Sequence, residues 1–573
     1  MLSEALREYR AVSPDSPSAA SAADIAADAT PRRTPMAIDV RQLGSIRRLA
    51  GDYAFDFQRV SDLYAGDPST PEAWREAIAR TIAYPRRNHE MAALLAAQQE
   101  RRGAAPEARA AAARLNVPGT VAVVTGQQAT AFGGPLYTLL KALTAIQLAQ
   151  RVSREHGTEC IAIFWVHSED HDWEEVASCT VLDGAFQPVT VTLPAPPGAG
   201  ELPVGELELD AGIQGIISSL ASALPIGDFT EGTVGALRAA YRPGVRMATA
   251  FAEWLEALLG PYGLVVFEAC DRAAKPLVAD LFVKELREAG RTATLAAAAG
   301  RELAGRGHAP QVEPQADSVA LFHINGARTA IKKQGDDAFT IGDRTASTSE
   351  LIGEAERNPE HFSPNVLLRA VVQDRLFPTI CYVPGPSELA YLGQLKGVYA
   401  HFGVPMPLLF PRATATLIDS NAARFLHRYG LPLESLQPQD EATLNRLLES
   451  QLPESIEHAL KDAEATIHAS MDKLIEAMPA LDPTLVGAAR TTLGKMEHDL
   501  KGLHGKVIHS AKKRDETLRR QFTRAQAQIY PLGHPQERTL SIPFFLNRYG
   551  PALVDRLLDG LPLQLGYHYV LTI

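Results

Sequence analysis

The chain has 573 residues, of which 46% are hydrophobic and 21% charged, a balance that is normal for globular proteins. A domain usually holds about 100–200 residues, so we expect two or three units with a sizeable buried core. The formal net charge is −11. Because nucleic-acid-binding proteins usually present a basic face, this balance argues against nucleic acid as the main partner.

The sequence predicts neither a membrane span nor a secretory signal. No run of about 18 or more apolar residues occurs, which is the length that a membrane helix needs. Residues 11–35 are rich in Ala, Ser, Pro and Asp and lack the basic-then-apolar order of a signal peptide. We interpret residues 1–35 as a disordered leader, with Met36 as an alternative initiator.

Cysteine use indicates a reducing compartment. The spacing of the four cysteines forms no CxxC pair of the kind found in zinc or redox sites. We interpret them as small buried hydrophobic residues, and the low count in so long a chain fits the cytoplasm. The four are Cys160, Cys179, Cys270 and Cys381.

After Ala-rich helical sequence, the chain changes to a strand–helix–strand unit. Residues 119–125 form a β-branched run that predicts a strand, and residues 160–166 predict the next. Between them, Gly134-Pro135 opens a helix whose end is marked by Gly157. Such a unit implies parallel strands joined by a right-handed crossover.

Strands and helices continue to alternate, which is typical of a doubly wound parallel sheet. We therefore predict an α/β fold with a Rossmann-like core over residues 36–436. Residues 183–225 and 308–345 interrupt the pattern and are interpreted as β-rich insertions, the second with hairpin strands at 323–324 and 328–331. The further core elements are predicted strands at 262–268, 378–383 and 406–410 and predicted helices at 276–288 and 385–402.

Residues 437–529 predict a helical arm. Apolar residues recur there at alternating three- and four-residue steps in two segments, with Pro479 and Pro483 between them. This pattern predicts an antiparallel coiled-coil hairpin, which either joins two subunits of a homodimer or packs only on its own core. Residues 530–573 are expected to pack back on the α/β core. The predicted seam residues are Leu460, Ala463, Ile467, Ser470, Leu474, Leu493, Met496, Leu500, Leu503 and Val507.

A first candidate binding segment follows the first predicted core strand. In open parallel sheets, ligands bind outside the carboxyl ends of the strands, near the point where the strand order reverses. Glycines there allow close approach of the backbone, and the following helix start suits a phosphate or carboxylate. The alternative is a tight structural turn. The candidate binding residues are Thr125, Gln127, Gln128, Gly133, Gly134 and Tyr137.

An acidic turn, HSEDHDW at residues 167–173, follows the next predicted strand. Carboxylates this close repel one another, which favours raised pKa values or a bound cation. Asp170, His171 and Asp172 are therefore candidates for a general base, a proton shuttle or Mg²⁺ ligands. The alternative is a solvated turn that caps the next helix.

Two later segments add further candidates. Ser363 is predicted to cap a helix that begins at Pro364, and Ser387 is predicted to cap another. Two arginines suit bidentate binding of a carboxylate or phosphate, although each equally suits a structural ion pair. The candidate binding residues in these segments are Asn365, Arg369, Glu388, Tyr391 and Arg412.

Four long stretches make the chain recognisable: VVTGQQATAFGGPLYTLLKALTAIQLA (123–149), FWVHSEDHDWEE (164–175), FSPNVLLRAVVQDRLFPTICYVPGPSELAYLGQLK (362–396) and PQERTLSIPFFLNRYGP (535–551). They resemble, in the same order, the signature segments of the bacillithiol biosynthesis family BshC, the cysteine ligases. At His167 the family is expected to have a small residue, so no role is assigned to that histidine. The resemblance implies a nucleotidyltransferase-type Rossmann fold with an added coiled-coil domain that pairs two subunits.

The resemblance also implies a reaction, in which the cysteine carboxyl forms an amide with the amine of glucosaminyl-malate. Because an amide from a free carboxylate is uphill in water, activation by ATP is expected; a metal requirement is left open. On this interpretation Asp170 or His171 deprotonates the amine, while Gln536 and Arg538 help to form a nucleotide pocket. The malate carboxylates are assigned to the helix start at Gly133-Gly134 and to Arg369 or Arg412. The orientation of the hydroxyl groups is assigned to Gln127, Gln128, Asn365 and Tyr391.

Two rival hypotheses remain at this level. The first is a nucleotidyl- or adenylyl-transferase that acts on another small acid. The second is a non-catalytic scaffold that uses the coiled-coil arm, although polar groups at several strand ends argue against it. The absence of GxSxG, HExxH and clustered cysteines disfavours serine hydrolases and zinc proteases.

Overall fold

The computed structural model describes residues 35–450, 454–514 and 516–573, without the side chains of residues 454 and 511–514. The predicted leader, residues 1–35, lies outside this part of the chain except for Pro35. The described residues form two compact units, one of residues 35–417 with 535–573 and the other of residues 418–534. We describe each unit by itself.

The strands in the described part of the chain form four sheets. In chain order they are β1 (Met36–Asp39), β2 (Val121–Gln128), β3 (Cys160–His167), β4 (Ser178–Leu182), β5 (Pro188–Thr192), β6 (Leu264–Glu268), β7 (Ser318–Asn325), β8 (Ala327–Gln334), β9 (Ala338–Ile341), β10 (Arg344–Ser347), β11 (Phe362–Pro364), β12 (Thr379–Val383), β13 (Leu408–Leu409), β14 (Thr414–Ile418) and β15 (Tyr567–Thr572).

The first unit contains most of the helices, which pack around its sheets. Before the second unit they are α1 (Arg48–Phe55), α2 (Pro71–Ala83), α3 (Asn88–Arg102), α4 (Pro106–Ala113), α5 (Leu136–His156), α6 (Trp173–Val176), α7 (Ile213–Ala223), α8 (Thr230–Ala240), α9 (Met247–Leu259), α10 (Ala279–Arg287), α11 (Arg291–Gly305), α12 (Thr348–Arg357), α13 (Val366–Leu376), α14 (Leu389–Leu392) and α15 (Lys396–Phe402). The second unit contains α16 (Ser420–Tyr429), α17 (Ala442–Glu449), α18 (Glu454–Ala477), α19 (Leu485–Arg514) and α20 (Glu516–Ile529), and the chain ends with α21 (Gln536–Thr539), α22 (Ile542–Tyr549) and α23 (Leu553–Gly560).

The central sheet is entirely parallel and has the strand order β13-β12-β2-β3-β6. Its strands are buried apolar runs, as expected of parallel strands covered on both faces. The chain starts this sheet in the middle, at β2, and builds outward first through β3 and then through β12. The strand order therefore reverses between β2 and β12, which confirms the predicted Rossmann-like core.

The first crossover shows why these elements form. Helix α5 carries a buried apolar face that packs on the sheet, and it ends at Gly157, whose φ of +61° suits a residue without a Cβ. The predicted strands of the parallel sheet and this helix are confirmed to within about three residues, the usual error of element boundaries predicted from a sequence.

The prediction of a β-rich insertion at 183–225 is wrong. Only β5 lies there as a strand, paired with β4, and α7 occupies residues 213–223. Ile213, Ile217 and Leu220 are buried at helical spacing, which the Pro- and Gly-rich sequence before them obscures. The insertion at 308–345 is β-rich as predicted, since β7–β10 form an antiparallel sheet to which β11 adds a further strand.

The predicted continuous helix over residues 385–402 is also wrong, because the chain breaks between α14 and α15. At the break, the Gln394 side chain is buried and hydrogen-bonds to the backbone of Ala296, Gln311 and Val312. A Cβ on Gly393 would lie 2.9 Å from the Tyr64 hydroxyl oxygen. Close packing against other segments therefore outweighs the local helical pattern.

The second unit contains the predicted antiparallel helical hairpin, formed by α18 and α19. Met471 and Ala489 are buried, and Nε2 of His468 and of His504 lies 3.0 Å and 3.3 Å from a carboxylate oxygen of Glu497 and Glu457, respectively. Three predicted seam residues remain exposed instead of packing within the hairpin. These residues are Leu474, Met496 and Leu503.

Residues 535–573 belong to the first unit, where β15 pairs with β1 in an antiparallel ladder. The boundary between the units falls after Leu417, about twenty residues before the predicted start of the arm. Among the described helices, none combines the length and the apolar character that a membrane span requires.

Candidate active site

The candidate site lies where the strand order reverses, at the carboxyl ends of β2 and β12. Gln127 and Gln128 end β2, and successive side chains of a strand point to opposite faces. The two glutamines accordingly join two separate groups of polar residues. Gly126 permits close packing here, because a Cβ at this position would lie 2.7 Å from Nε2 of His167.

On one face, Lys141 of α5 is the centre of what we call the lysine cluster, with Gln127, Tyr137 and Glu388. The Lys141 ammonium donates to the Gly126 carbonyl at 2.8 Å, to Gln127 Oε1 at 3.0 Å and to Glu388 Oε1 at 2.8 Å. Burial lowers the pKa of Lys141, and the Glu388 carboxylate offsets only part of this effect. All three N–H donors of the ammonium are thus used.

The other members of the lysine cluster are also satisfied by protein partners. The second carboxylate oxygen of Glu388 accepts from the Gly385 amide at 2.7 Å, which closes the turn after β12. The Tyr137 hydroxyl accepts from Gln127 Nε2 at 3.3 Å, and burial raises the pKa of Tyr137 to about 12. The lysine cluster therefore positions the ends of β2 and β12 relative to each other.

On the opposite face, Gln128, Asp170, His171 and Arg328 form the acidic-turn cluster. Gln128 Nε2 donates to Asp170 Oδ2 at 3.0 Å, and the His171 amide donates to Asp170 Oδ1 at 2.8 Å. Arg328 of β8 donates to His171 Nδ1 at 3.2 Å and lies 3.6 Å from Asp170 Oδ1. Its guanidinium also stacks 3.7 Å from the centre of the Phe322 ring.

The acids of the predicted acidic turn have different environments. Asp172 caps α6, since its Oδ1 accepts from the Glu175 amide at 3.1 Å. Glu169 forms a buried ion pair with Lys275. The Asp170 side chain remains 41% exposed. The capping alternative thus describes Asp172, whereas Asp170 retains an accessible carboxylate.

Among the described residues, His167 Nε2 and Gln128 Oε1 are buried at this edge without a hydrogen-bond partner. Their residues are direct neighbours in the register of β2 and β3. Burial lowers the pKa of His167 well below its usual value, and Arg369 and Lys141 lower it further, so the imidazole is neutral. Because buried polar atoms rarely stay unpaired, this pair marks a place for ligand or water.

The two predicted arginines differ in what they bind. Arg369 donates to the Tyr391 hydroxyl at 3.2 Å and to Gln373 Oε1 at 3.3 Å, and it forms no ion pair with any described acidic residue. Arg412 forms a buried bidentate pair with Glu537, with distances of 2.7 and 3.0 Å. The Arg412 guanidinium is thus engaged by Glu537, which favours the structural ion pair over the predicted part in an anion clamp.

At the start of α5, where an anion site is predicted, the Leu136 amide is already hydrogen-bonded and is not available to a ligand. That amide donates to the Leu540 carbonyl at 2.9 Å, and the Ile542 amide donates to the Gly134 carbonyl at 2.9 Å. A Cβ on Gly133 would lie 2.2 Å from the Trp254 ring, and its φ of +93° also requires glycine. In this structure the glycine pair serves close packing.

Other predicted residues have structural contacts. The buried Thr125 hydroxyl donates to the Val383 carbonyl at 2.9 Å. Ser363 and Pro364 lie in β11, so the predicted cap at Ser363 is wrong. Asn365 is the cap instead, and it accepts from the Leu367 and Leu368 amides at 2.9 and 3.3 Å.

The two residues predicted to bind a nucleotide lie in different environments. The buried side-chain amide of Gln536 pairs with the backbone of Leu417, accepting at 2.8 Å and donating at 2.6 Å. Both polar atoms of this amide are therefore engaged by the protein itself. Arg538 is exposed and donates to the Ser387 hydroxyl at 3.0 Å. Since Ser387 and Tyr391 are one helical turn apart, Arg538 and Arg369 bind the two ends of the same short segment.

Lys141 and Arg328 lie in these clusters but are not among the site residues predicted from the sequence. Lys141 lies four residues after Tyr137, so a charged residue on the buried face of α5 was a usable signal. Arg328 lies 157 residues from His171 along the chain, and no local pattern connects them. His167, to which no role was assigned, contributes one of the two unpaired buried atoms.

Comparison with known proteins agrees with this architecture. Residues 36–413 match the family model for the BshC N-terminal Rossmann-like domain of bacillithiol biosynthesis, and residues 415–573 match that for the BshC C-terminal coiled-coil domain. A protein of Salinibacter ruber, named "Putative cysteine ligase BshC", is 34% identical over 545 residues, covering 94% of this chain and 98% of its own. One of Koribacter versatilis with the same name is 34% identical over 529 residues, covering 92% and 97%. The chain therefore belongs to the BshC family, the cysteine ligases of bacillithiol biosynthesis.

Proposed function

We propose that the enzyme joins cysteine to glucosaminyl-malate, through an amide between the cysteine carboxyl and the glucosamine amine. The observation that carries this proposal is the pair of arginines on the segment after β12. Arg369 and Arg538 bind its two ends, and neither has an acidic partner among the described residues. A dianionic malate group suits two such guanidinium groups, since arginine binds carboxylates in a bidentate manner.

Asp170 is the proposed general base that deprotonates the amine. Arginine can only donate, so the contact with Arg328 makes His171 Nδ1 an acceptor and leaves the proton of the neutral ring on Nε2. His171 in this state offers a donor to the substrate. Asp170 is half exposed and already oriented by Gln128, which is what a positioned base requires.

His167 and Gln128 are proposed to contact substrate through their unpaired atoms. The carbonyl oxygen of Gln128 is an acceptor that suits a sugar hydroxyl. The Nε2 atom of His167 either donates or accepts, depending on its tautomer. Both lie next to the proposed base, so a sugar bound here would bring its amine close to Asp170.

ATP remains the proposed activating co-substrate on chemical grounds alone. The two residues predicted to hold it do not fit a nucleotide together, because Gln536 is buried and fully engaged while Arg538 is exposed. We therefore assign no residue to the nucleotide and derive no step through it.

The arm is proposed to pair two copies of the chain. Leu474, Met496 and Leu503 expose 48%, 41% and 51% of their surfaces on helices α18 and α19. Burying such residues contributes about 1.5–3 kcal/mol each. Met496→Glu with Leu503→Glu should convert a dimer into a monomer in sedimentation analysis, whereas a wild-type monomer would refute the pairing.

The reaction is tested by incubating the full chain with glucosaminyl-malate, cysteine and ATP, followed by mass spectrometry. We expect the thiol product together with ADP or AMP, and none when the malate conjugate is replaced by glucosamine. Nucleotidyl transfer without a cysteine-containing product would instead support the adenylyl-transferase hypothesis. Product formation at the same rate without ATP would refute the proposed activation.

A further inference from the structure

The sheet formed by β7–β11 carries a second group of polar side chains, on the face opposite to the one that carries Arg328. His323 of β7, Glu354 of α12 and His361, just before β11, point their ligand atoms at one another. One oxygen of Glu354, Oε1, lies 2.8 Å from His323 Nε2 and 3.0 Å from His361 Nδ1. All three ligand atoms lie within 4.8 Å of one another.

We propose that His323, Glu354 and His361 bind a divalent transition-metal ion of the zinc type. Two imidazole nitrogens and one carboxylate oxygen are the ligands that zinc and its neighbours in the first transition row prefer. Calcium and magnesium are disfavoured, because they take oxygen ligands almost exclusively. Metal binding can be tested independently of the proposed ligase chemistry, since none of the three residues belongs to the candidate active site.

The spacing is compatible with an ion after a small adjustment. Zinc lies about 2.0–2.2 Å from its nitrogen and oxygen ligands, so neighbouring ligands in a tetrahedron are about 3.3 Å apart. The observed distances of 2.8 and 3.0 Å would need to open by a few tenths of an ångström. His361 is 43% exposed and has room for that movement. The same exposure leaves space for water as a fourth ligand.

The surroundings fix the orientation of the ligands. The His323 side chain is 4% exposed and packs edge-on against the Phe362 ring at 5.4 Å. Arg344 donates to the other Glu354 oxygen, Oε2, at 3.2 Å. Glu354 would therefore bind through Oε1 alone, with its second oxygen held by a hydrogen bond, as is common for carboxylate ligands of metals.

The ion would stabilise the contacts of Arg328 from the opposite face of the sheet. In the β7–β11 ladder, His323 is paired with Phe362, and the adjacent pair is Phe322 with Ser363. That adjacent pair faces Arg328, which stacks on the Phe322 ring and donates to the Ser363 hydroxyl at 3.4 Å. A metal that ties β7 to the residue before β11 would hold both contacts of Arg328 in place.

The test is zinc binding to the full-length chain freed of metal by a chelator. Isothermal titration with Zn²⁺ should give one equivalent per chain with a raised melting temperature. Glu354→Gln preserves shape and removes the anionic ligand, and His361→Ala removes a half-exposed ligand without opening the core. Each should weaken zinc binding by more than about 100-fold, beyond the effect of losing only an outer hydrogen bond.

His89→Ala is the matched control, because His89 is exposed and hydrogen-bonds only to Asn116 among its described contacts. It should leave both the stoichiometry and the affinity unchanged. Cobalt(II) offers an independent readout, since four- or five-coordinate cobalt absorbs visible light much more strongly than a six-coordinate ion held by surface histidines and water.

The proposal is overturned if the wild-type chain binds no zinc, or if Glu354→Gln and His361→Ala bind it as well as His89→Ala does. Either result would mean that the three residues form only a hydrogen-bonded ion-pair group. Circular dichroism of each variant identifies any that fails to fold. If His361→Ala does, the isosteric Glu354→Gln decides the outcome.

Discussion

The two faces of the β2 end differ in how completely the protein satisfies its own polar groups. In the lysine cluster, Lys141 uses all three donors on protein acceptors, and both Glu388 oxygens have partners. In the acidic-turn cluster, Gln128 Oε1 is buried without a partner and the Asp170 carboxylate is 41% exposed. A saturated cluster fixes geometry, whereas an unsaturated one retains capacity for a substrate.

If the acidic-turn cluster catalyses the reaction, the largest loss of activity is expected from a substitution of Asp170. Asp170→Asn keeps an acceptor for Gln128 but removes the charge and the basic oxygen. We expect kcat/KM for product formation to fall about 10²–10⁴-fold, the usual range for losing a general base. The melting temperature should stay near that of the wild type. Activity close to the wild-type value would exclude Asp170 as the base.

Substitutions in the lysine cluster should instead lower the stability of the protein. Lys141→Met leaves the Glu388 carboxylate and Gln127 without their buried donor, which should cost about 3–5 kcal/mol in the free energy of unfolding. Urea denaturation measures this loss. The double variant Lys141→Met with Glu388→Gln should recover part of it, because no unpaired charge remains. No recovery would show that the pair is not what Lys141 stabilises.

A comparison of the two arginines separates binding from stability. Arg369→Gln removes a charge-assisted donor worth about 1.5–3 kcal/mol, so KM for the malate substrate should rise about 10- to 100-fold. Arg412→Gln breaks the buried pair with Glu537 and should lower the melting temperature instead. If both variants changed only stability, the proposed carboxylate contact of Arg369 would have to be abandoned.

The smallest effect is expected at Asp172, two residues after the proposed base. Asp172→Ala removes the cap of α6 and should cost about 1 kcal/mol in the free energy of unfolding. Steady-state rates should remain close to those of the wild type. A loss of activity as large as that of Asp170→Asn would indicate that Asp172 is the general base and would contradict a purely capping role.

Sequence patterns located the core strands because each is a continuous apolar run that the sheet buries on both sides. They also placed Gln128 and Asp170 at strand ends, where parallel pairing brings them together. The patterns failed over residues 385–402, where Gln394 bonds to backbone groups from distant segments. They also left the role of Arg412 open, because its partner Glu537 is 125 residues away.

The sequence by itself determined the family, the parallel Rossmann-like core and the helical hairpin, since these depend on local periodicity and on long matching segments. Only the tertiary structure decided which polar residues remain available. Arg369 and Arg412 look equivalent in the sequence, and Lys141 lies in an ordinary helix. Their roles differ because hydrogen-bond partners come from segments far apart in the chain, and a buried group that finds such a partner is no longer available to a substrate.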